Sequence, residues 1–335
     1  MATEKKWNYI FGPVPSRRLG LSLGVDVIPK KVCTLDCVYC EVGMTDKRAL
    51  RRREYFPADA IIAEIEESLA GRSALDHVTF SGSGEPTLNS KLGEIIRAVK
   101  QVTSVPVAVL TNGTLFWLED VRYDLAAADV VLPSLDAVSQ DVFERIDRPH
   151  PQLRIDQIIA GLKEFRAEYK GKIWLEIMFA RGYNDDEREI LGLRDAIEQI
   201  QPDKVQLNTV VRPPSESGVG PVSEAKLKEI QALYGERCEI IGSFDKHTTL
   251  EKGNSSATEI LGLLERRAMT LEGLADSQEV NRQQIFEALK TLKEAGLIVS
   301  FIHQGEEHFR VKGSTGAEDP PTSEKTCPPK KGVKR

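Results

Sequence analysis

Three thiols stand within eight residues in Cys33-Thr-Leu-Asp-Cys37-Val-Tyr-Cys40, and only Cys238 and Cys327 lie elsewhere in the chain. An odd, clustered count is a poor disulfide framework and a better metal or catalytic signature. A structural zinc wants four closed ligands. No fourth Cys or His is near, the closest histidine being His77. Cysteine thiolates also hold iron–sulfur clusters, and three of them leave one iron open to a ligand. A second polar group stands in Ser81-Gly-Ser83-Gly84-Glu85-Pro86. Glycine there lets backbone approach a ligand closely, and Glu85 brings a negative charge. Taken alone, Gly-Glu-Pro is an ordinary turn.

These residues need a frame that gathers them. The apolar runs Leu21–Ile28, His77–Ser81, Val105–Leu110, Val130–Pro133, Ile173–Phe179 and Val205–Val210 predict strands. Amphipathic runs predict helices over Ala58–Ala70, Lys91–Val102, Leu153–Tyr169, Asp186–Ile200 and Glu224–Tyr234. Short apolar strands alternating with helices make an α/β parallel sheet buried on both faces. Six such units are too few for an eight-fold barrel, so the expectation is a partial (β/α)6 TIM-like barrel with its chemistry at the C-terminal strand ends. The cysteine loop follows the first strand and the Glu85 turn the second. Polar residues recur at later strand ends: Thr111-Asn112, Ser134 and Asp136, Glu176, and Asn208.

Ser243–Ser256 is polar and without apolar period, which sets a linker at 246–256 between a domain over 1–245 and a second over 257–312. The second reads as helices over Ala257–Arg267, Leu271–Asp276 and Val280–Ala295, then a hairpin from Leu297 to Val311 turning at Gln304-Gly305-Glu306. Three helices and a hairpin suggest a small C-terminal winged helix-turn-helix, with Thr270 and Ser277 as N-caps and Gly296 as a C-cap. Its own apolar pattern is enough for a separate core. Residues 313–335, with four prolines and scattered lysines, read as a disordered tail.

Cys-x3-Cys-x2-Cys, with Tyr39 before the last Cys, resembles the radical S-adenosylmethionine (SAM) superfamily. Gly82-Ser83-Gly84-Glu85 is similar to that superfamily's Gly-Gly-Glu motif, with Ser83 in place of the first glycine. The resemblance implies one [4Fe–4S] cluster on Cys33, Cys37 and Cys40, its open iron chelated by the amino and carboxylate groups of SAM. An electron from the reduced cluster then cleaves SAM to methionine and a 5′-deoxyadenosyl radical that abstracts hydrogen from a substrate. It also implies cofactor contacts from Tyr39, Ser83, Gly84, Glu85, Asn112, Ser134 and Asn208, and a reductant such as flavodoxin or ferredoxin. Gly12-Pro-Val-Pro-Ser-Arg17-Arg18, Ser81–Ser90, Arg148-Pro-His150-Pro and Leu207–Pro214 extend it, over about residues 10 to 245, to wybutosine-synthase-like iron–sulfur oxidoreductases. Wybutosine synthase acts on tRNA and uses a second cluster. With only Cys238 and Cys327 to spare, one chain cannot build that second cluster, so the subgroup transfers and wybutosine chemistry does not.

Arg17 and Arg18 suit either a carboxylate or phosphate ligand or an internal partner such as Asp26. His150, between two prolines, faces a substrate or simply completes a turn. Lys47, Arg48, Arg51, Arg52 and Arg53 form a basic run that meets phosphates or an acidic peptide, or is a solvated loop. The net charge of −6 excludes a protein whose whole surface grips nucleic acid. No apolar stretch reaches the roughly 20 residues of a membrane helix, and Met1–Tyr9 lacks a signal peptide's apolar core, so a cytoplasmic protein is expected. From Ala257 to Lys312 there are seven Lys or Arg against nine Asp or Glu. That deficit of cations suits docking a protein partner at least as well as nucleic acid. Two classes follow: a radical SAM enzyme acting on an RNA nucleoside or a peptide/protein side chain, or a non-catalytic metal- or redox-sensing regulator acting through the winged helix.

Overall fold

The computed structural model describes residues 7–16, 18–45, 48–70, 75–241, 257–278 and 282–313. Arg17, Lys47, the proposed linker, Cys327 and the proposed tail beyond Gly313 lie outside them. Ile10–Ser16 (β1) and Gly20–Val25 (β2) form an antiparallel hairpin. From β2 onward every strand is parallel to its predecessor and lies beside it in chain order: His77–Phe80 (β3), Val107–Thr111 (β4), Val130–Pro133 (β5), Lys172–Phe179 (β6), Lys204–Thr209 (β7) and Cys238–Ile240 (β8). The sheet is therefore α/β and mostly parallel, with seven parallel strands where the apolar runs indicated six. The extra one, β8, is three residues long and carries Cys238, buried on the strand rather than poised for chemistry.

Crossover helices cover one face: Ala58–Leu69 (α1), Leu92–Val102 (α2), Glu119–Leu125 (α3), Gln140–Ile146 (α4), Ile155–Glu168 (α5), Glu187–Ile200 (α6) and Glu224–Tyr234 (α7). Asp186 caps α6 by accepting from the Glu189 amide, and Ser223 caps α7 by accepting from that of Lys226. Ile61, Ile65, Ile95, Ile96, Leu162 and Phe165 from these helices meet Val78, Phe80, Val107, Val109 and Val131 of the sheet in one core. Each such fully buried side chain contributes about 1.5–3 kcal/mol. Gly161 lets α5 lie directly on backbone: a Cβ there would stand 2.5 Å from the Trp117 nitrogen.

The strands' other side chains, Ala108, Val130 and Leu132, form a separate cluster with Leu19 on the opposite face. Leu19 precedes β2, yet its neighbour Arg18 reaches Glu176 of β6 at 2.5 Å. In a flat sheet four strand spacings would separate β2 and β6 by about 19 Å. The sheet must therefore curl, bringing β2 and β6 across a common interior.

The C-terminal unit comprises Ala257–Arg266 (α8), Met269–Thr270 (β9), Leu271–Gln278 (α9), Arg282–Glu294 (α10), Ile298–His303 (β10) and Glu306–Val311 (β11), with sheet order β10-β11-β9. Thr270 caps α9 through the Gly273 amide at 3.0 Å, as expected. Ser277 falls inside α9 instead of ahead of α10. Gly296, at φ +69°, ends α10, and the Leu297 amide bonds back to the Leu292 carbonyl at 3.0 Å. Gln304 and Gly305 both have positive φ, as a two-residue hairpin requires. Ile260, Leu264, Leu274, Ile285, Leu289 and Phe309 form its core, and Val14 of β1 packs against that core. Among the described residues no helix is long and apolar enough to cross a membrane.

Candidate active site at the C-terminal strand ends

Parallel strands present all their C-terminal ends along one edge, and the singled-out residues gather there. The loop after β2 carries the cysteines and is stitched down by backbone bonds. Amides of Asp36 and Val38 donate to carbonyls of Asp147 and Ile146 at the end of α4, at 3.0 and 2.9 Å. The His150 amide donates to the Thr34 carbonyl at 2.9 Å, and Ser215 Oγ to the Cys37 carbonyl at 2.9 Å. His150 Nδ1 accepts from the Gln152 amide at 3.3 Å, so its ring belongs to its own turn.

Cys33 and Cys37 each feel the thiols beside them. Burial, then the charge of Glu85, raises Cys33 to about 12, with Cys40 adding to the rise. Burial, Asp147 and the other two cysteines push Cys37 well above the usual thiol range. As free thiols Cys33 and Cys37 stay protonated, and a bound positive centre would let them ionise. Lys31 Nζ stands 3.7 Å from Cys40 Sγ. Among the described residues no trio of His, Cys, Asp or Glu converges as it would on one ion. Three thiols on one short loop, two of them raised by burial and neighbouring charge, instead fit a larger, positively charged iron–sulfur core.

Glu85 is 2 % exposed and holds two strand ends together. Its Oε1 accepts from the Thr87 amide at 3.0 Å, Thr87 Oγ1 at 2.6 Å and Thr111 Oγ1 at 2.6 Å; its Oε2 accepts from the Asn112 amide at 2.8 Å. Burial raises its pKa against the pull of these bonds. None of the ion pairs among the described residues involves it. Asn112 Nδ2 donates to Thr34 Oγ1 at 2.8 Å and lies 3.5 Å from Cys33 Sγ. The residue that binds the Glu85 carboxylate thus also touches the first cysteine. Gly84 leaves room for the Val32 carbonyl, which a Cβ would meet at 2.2 Å.

Ser83 is differently engaged. Its hydroxyl donates to Asp26 Oδ2 at 2.6 Å, its amide to the same oxygen at 3.2 Å, and its carbonyl accepts from the Lys31 amide at 2.8 Å. Tyr39 donates its hydroxyl to Asp136, while Asp147 stands 3.3 Å away. Burial and the Asp147 carboxylate push Asp136 well above the usual carboxylate range. Tyr39, Asn112, Ser134, Asp136 and Asp147 share one recess. Asn208 donates to Glu176 Oε1 at 2.9 Å, opposite the Arg18 ion pair, on the inner face of the curl. Of the seven residues matched to cofactor contacts, then, Tyr39, Gly84, Glu85, Asn112 and Ser134 surround the cysteine loop. Ser83 turns to Asp26, and Asn208 joins a group deeper in the sheet.

Arg18 has Glu176 as its partner, not Asp26, because Asp26 is taken by Ser83 and by Arg266 at 2.6 Å. Two arginines of the basic run serve structure. Arg52 pairs with Asp124 at 2.5 Å and with Asp120, and Arg48 donates to the Arg148 carbonyl at 2.8 Å. Sequence reasoning passed over Thr34, Thr87, Asp147 and Arg266, which carry no motif. Asp26 ends the first parallel strand, so the strand-end rule applied to the later strands could have found it.

A family model of the radical SAM superfamily matches residues 27–193, the span holding the cysteine loop, the Glu85 turn and the ends of β4 and β5. A protein named GTPase Obg from Brachyspira hyodysenteriae is 36% identical over 306 residues, which is 90% of this chain and 45% of that protein, so the chain spans less than half of that relative. A UPF0026 protein of Methanocaldococcus jannaschii is 32% identical over 303 residues, covering 88% of this chain and 93% of that one. Among solved structures, Streptococcus suis SuiB bound to precursor peptide SuiA overlays with a TM-score of 0.51 at 15% identity, over 66% of this chain and 49% of that one, a likeness of fold. The chain belongs to the radical SAM superfamily, alongside the UPF0026 proteins. That superfamily uses a [4Fe–4S] cluster and SAM as its cofactors. The name of the Brachyspira relative says nothing of this chain, which contains no Gly-x4-Gly-Lys-Ser/Thr phosphate loop.

Proposed function

We propose that this protein is a radical SAM enzyme acting on a peptide or protein side chain or an RNA nucleoside. With cluster and cofactor bound, such a site supplies an electron that cleaves SAM and yields a 5′-deoxyadenosyl radical. In this reading Cys33, Cys37 and Cys40 are the cluster ligands. Tyr39, Gly84, Glu85, Asn112 and Ser134 make up the surrounding wall, while Ser83 would fix the turn through Asp26 and Asn208 would act from deeper in the sheet. The single observation that carries it is the Glu85–Asn112–Cys33 connection. A buried carboxylate with four donors is well solvated, yet its charge calls for a cation. An ammonium group beside it would be held close to Cys33, one of the residues that would hold the cluster.

The regulator reading is not favoured, since a redox sensor has no use for such a carboxylate beside its thiols. In the C-terminal unit, read as a winged helix, Arg282, Lys290 and Lys293 on α10 are matched by Glu287 and Glu294, with Glu279 just outside the described residues. That balance favours a protein or peptide partner over a polyphosphate one. Within the superfamily we place the chain near the wybutosine-synthase-like subgroup, as a curled partial barrel without the second cluster, working in the cytoplasm with flavodoxin or ferredoxin as reductant. The test is anaerobic reconstitution with iron and sulfide, then incubation with SAM and dithionite. Release of 5′-deoxyadenosine is expected; a reconstituted protein that binds neither iron nor SAM overturns the reading.

A further inference from the structure

The C-terminal unit touches β1, an edge of the curled sheet, and the segment just past β7. Helices α8 and α9 pack on β1, and Gln304 Nε2, at the β10–β11 turn, donates to the Val210 carbonyl just past β7 at 3.1 Å. Between these anchors the end of α8 lies over the cysteine loop. Lys30 Nζ donates to the Glu265 carbonyl at 2.9 Å, and Arg267 stands 3.8 Å from Glu41, which also pairs with Arg212 at 2.9 Å. Arg266 goes deepest. Its guanidinium lies 4.1 Å over the Phe11 ring and 2.6 Å from Asp26 Oδ2, the same oxygen that accepts the Ser83 hydroxyl.

From these contacts we infer that Arg266 is a positioning residue for the SAM-binding turn, so that the docked C-terminal unit completes the cofactor site. Asp26 is 7 % exposed and presses against the turn. A Cβ on Gly82, which has φ +144°, would stand 2.7 Å from the Asp26 carboxyl carbon. Ser83 is thus fixed on one side by Asp26 and on the other by the Lys31 amide, and the Glu85 amide donates to the Val32 carbonyl at 2.9 Å. All of these clamps come from the segment following β2, except the one that neutralises the Asp26 charge. Arg266 provides it from 240 residues away. Without the guanidinium, a buried carboxylate keeps only its two Ser83 donors and must admit water or move. Each response shifts the turn two residues before Glu85. The inference rests on the reading of Glu85 as the partner of SAM's ammonium.

Equilibrium binding of SAM to the anaerobically reconstituted holoenzyme tests it, with iron content and the electron spin resonance spectrum of the reduced cluster recorded beside it. Arg266→Gln is expected to weaken SAM binding about tenfold, the size expected from disturbing one charged contact, with iron content unchanged. Arg266→Lys should recover part of the loss. Because Ser83 and Arg266 act through one oxygen, Ser83→Ala should add little in the Arg266→Gln background. Gln304→Ala loosens the far anchor without touching Asp26 and should leave SAM affinity as in the wild type. Wild-type affinity in Arg266→Gln, full additivity with Ser83→Ala, or an equal loss in Gln304→Ala would each overturn the inference. A wild-type holoenzyme that does not bind SAM would instead remove the functional reading beneath it. For variants that load cluster poorly, the melting temperature of the cluster-free chain supplies the same cycle between Arg266→Gln and Asp26→Asn, where additivity again refutes the link.

Discussion

Replacing Glu85 separates its charge from its hydrogen bonds. In Glu85→Gln the amide oxygen can keep the place of Oε1, retaining the bonds from Thr87 and Thr111. The amide nitrogen then faces the Asn112 amide, 2.8 Å from Oε2 in the wild type, so one acceptor is lost where two donors meet. An unsatisfied buried donor costs about 1–3 kcal/mol. Relief of an uncompensated buried carboxylate offsets part of that cost, so the change in folding free energy should be about 1 kcal/mol. SAM binding should suffer more, since a hydrogen bond to a charged group contributes about 1.5–3 kcal/mol, or roughly a 10–100-fold loss of affinity. Glu85→Ala is harsher: it strips acceptors from the Thr87 and Asn112 amides and frees Asn112 to leave Thr34 and Cys33, for about 2–4 kcal/mol of stability. Calorimetric unfolding, iron analysis and anaerobic SAM titration distinguish the two. Glu85→Gln should fold and hold iron while binding SAM poorly, and Glu85→Ala should also lose iron. A Glu85→Gln protein with wild-type SAM affinity would refute the assigned role.

Cys33→Ala, Cys37→Ala and Cys40→Ala should each leave a folded chain without the wild type's iron and sulfide of about four each per chain; stoichiometric zinc after attempted reconstitution would count against the cluster. Arg18→Leu removes the ion-pair partner of Glu176, whose side chain is 12% exposed, and should lower stability by about 3 kcal/mol. Pairing it with Glu176→Leu should restore much of the loss in a denaturant titration. In the C-terminal unit burial depresses both His303 and His308; His308 adds to the effect at His303, and at His308 Glu306 opposes it while Arg212 adds to it. Histidines whose folded pKa lies below the unfolded value near 6.5 contribute full stability above that pH and lose it as pH falls through the folded value. Cooling-reversed thermal scans should therefore show this unit melting earlier at pH 5 than at pH 7.5, and His308→Phe should flatten that dependence.

Helices α1, α2, α5, α6 and α7, and the strands between them, were legible in the sequence because their apolar residues repeat at the period of one element. Thr270 and Gly296 were legible because caps act within a few residues. The cysteine loop and the Glu85 turn were legible for the same reason: their chemistry is concentrated in contiguous spans. Strand β1 was not, since Gly12, Pro13 and Pro15 interrupt its apolar run, nor was three-residue β8, and helices α3 and α4 make only two turns each, too few to show a helical period. Tertiary structure alone decided which polar side chain serves which partner. Arg18 meets Glu176 only because the sheet curls, and Ser83 turns to Asp26 because Gly82 lets that carboxylate approach the turn. Arg266 reaches Asp26 because α8 packs against β1. A charge carries no record in the sequence of which opposite charge will neutralise it. That choice is made when burial removes water and leaves one partner within reach.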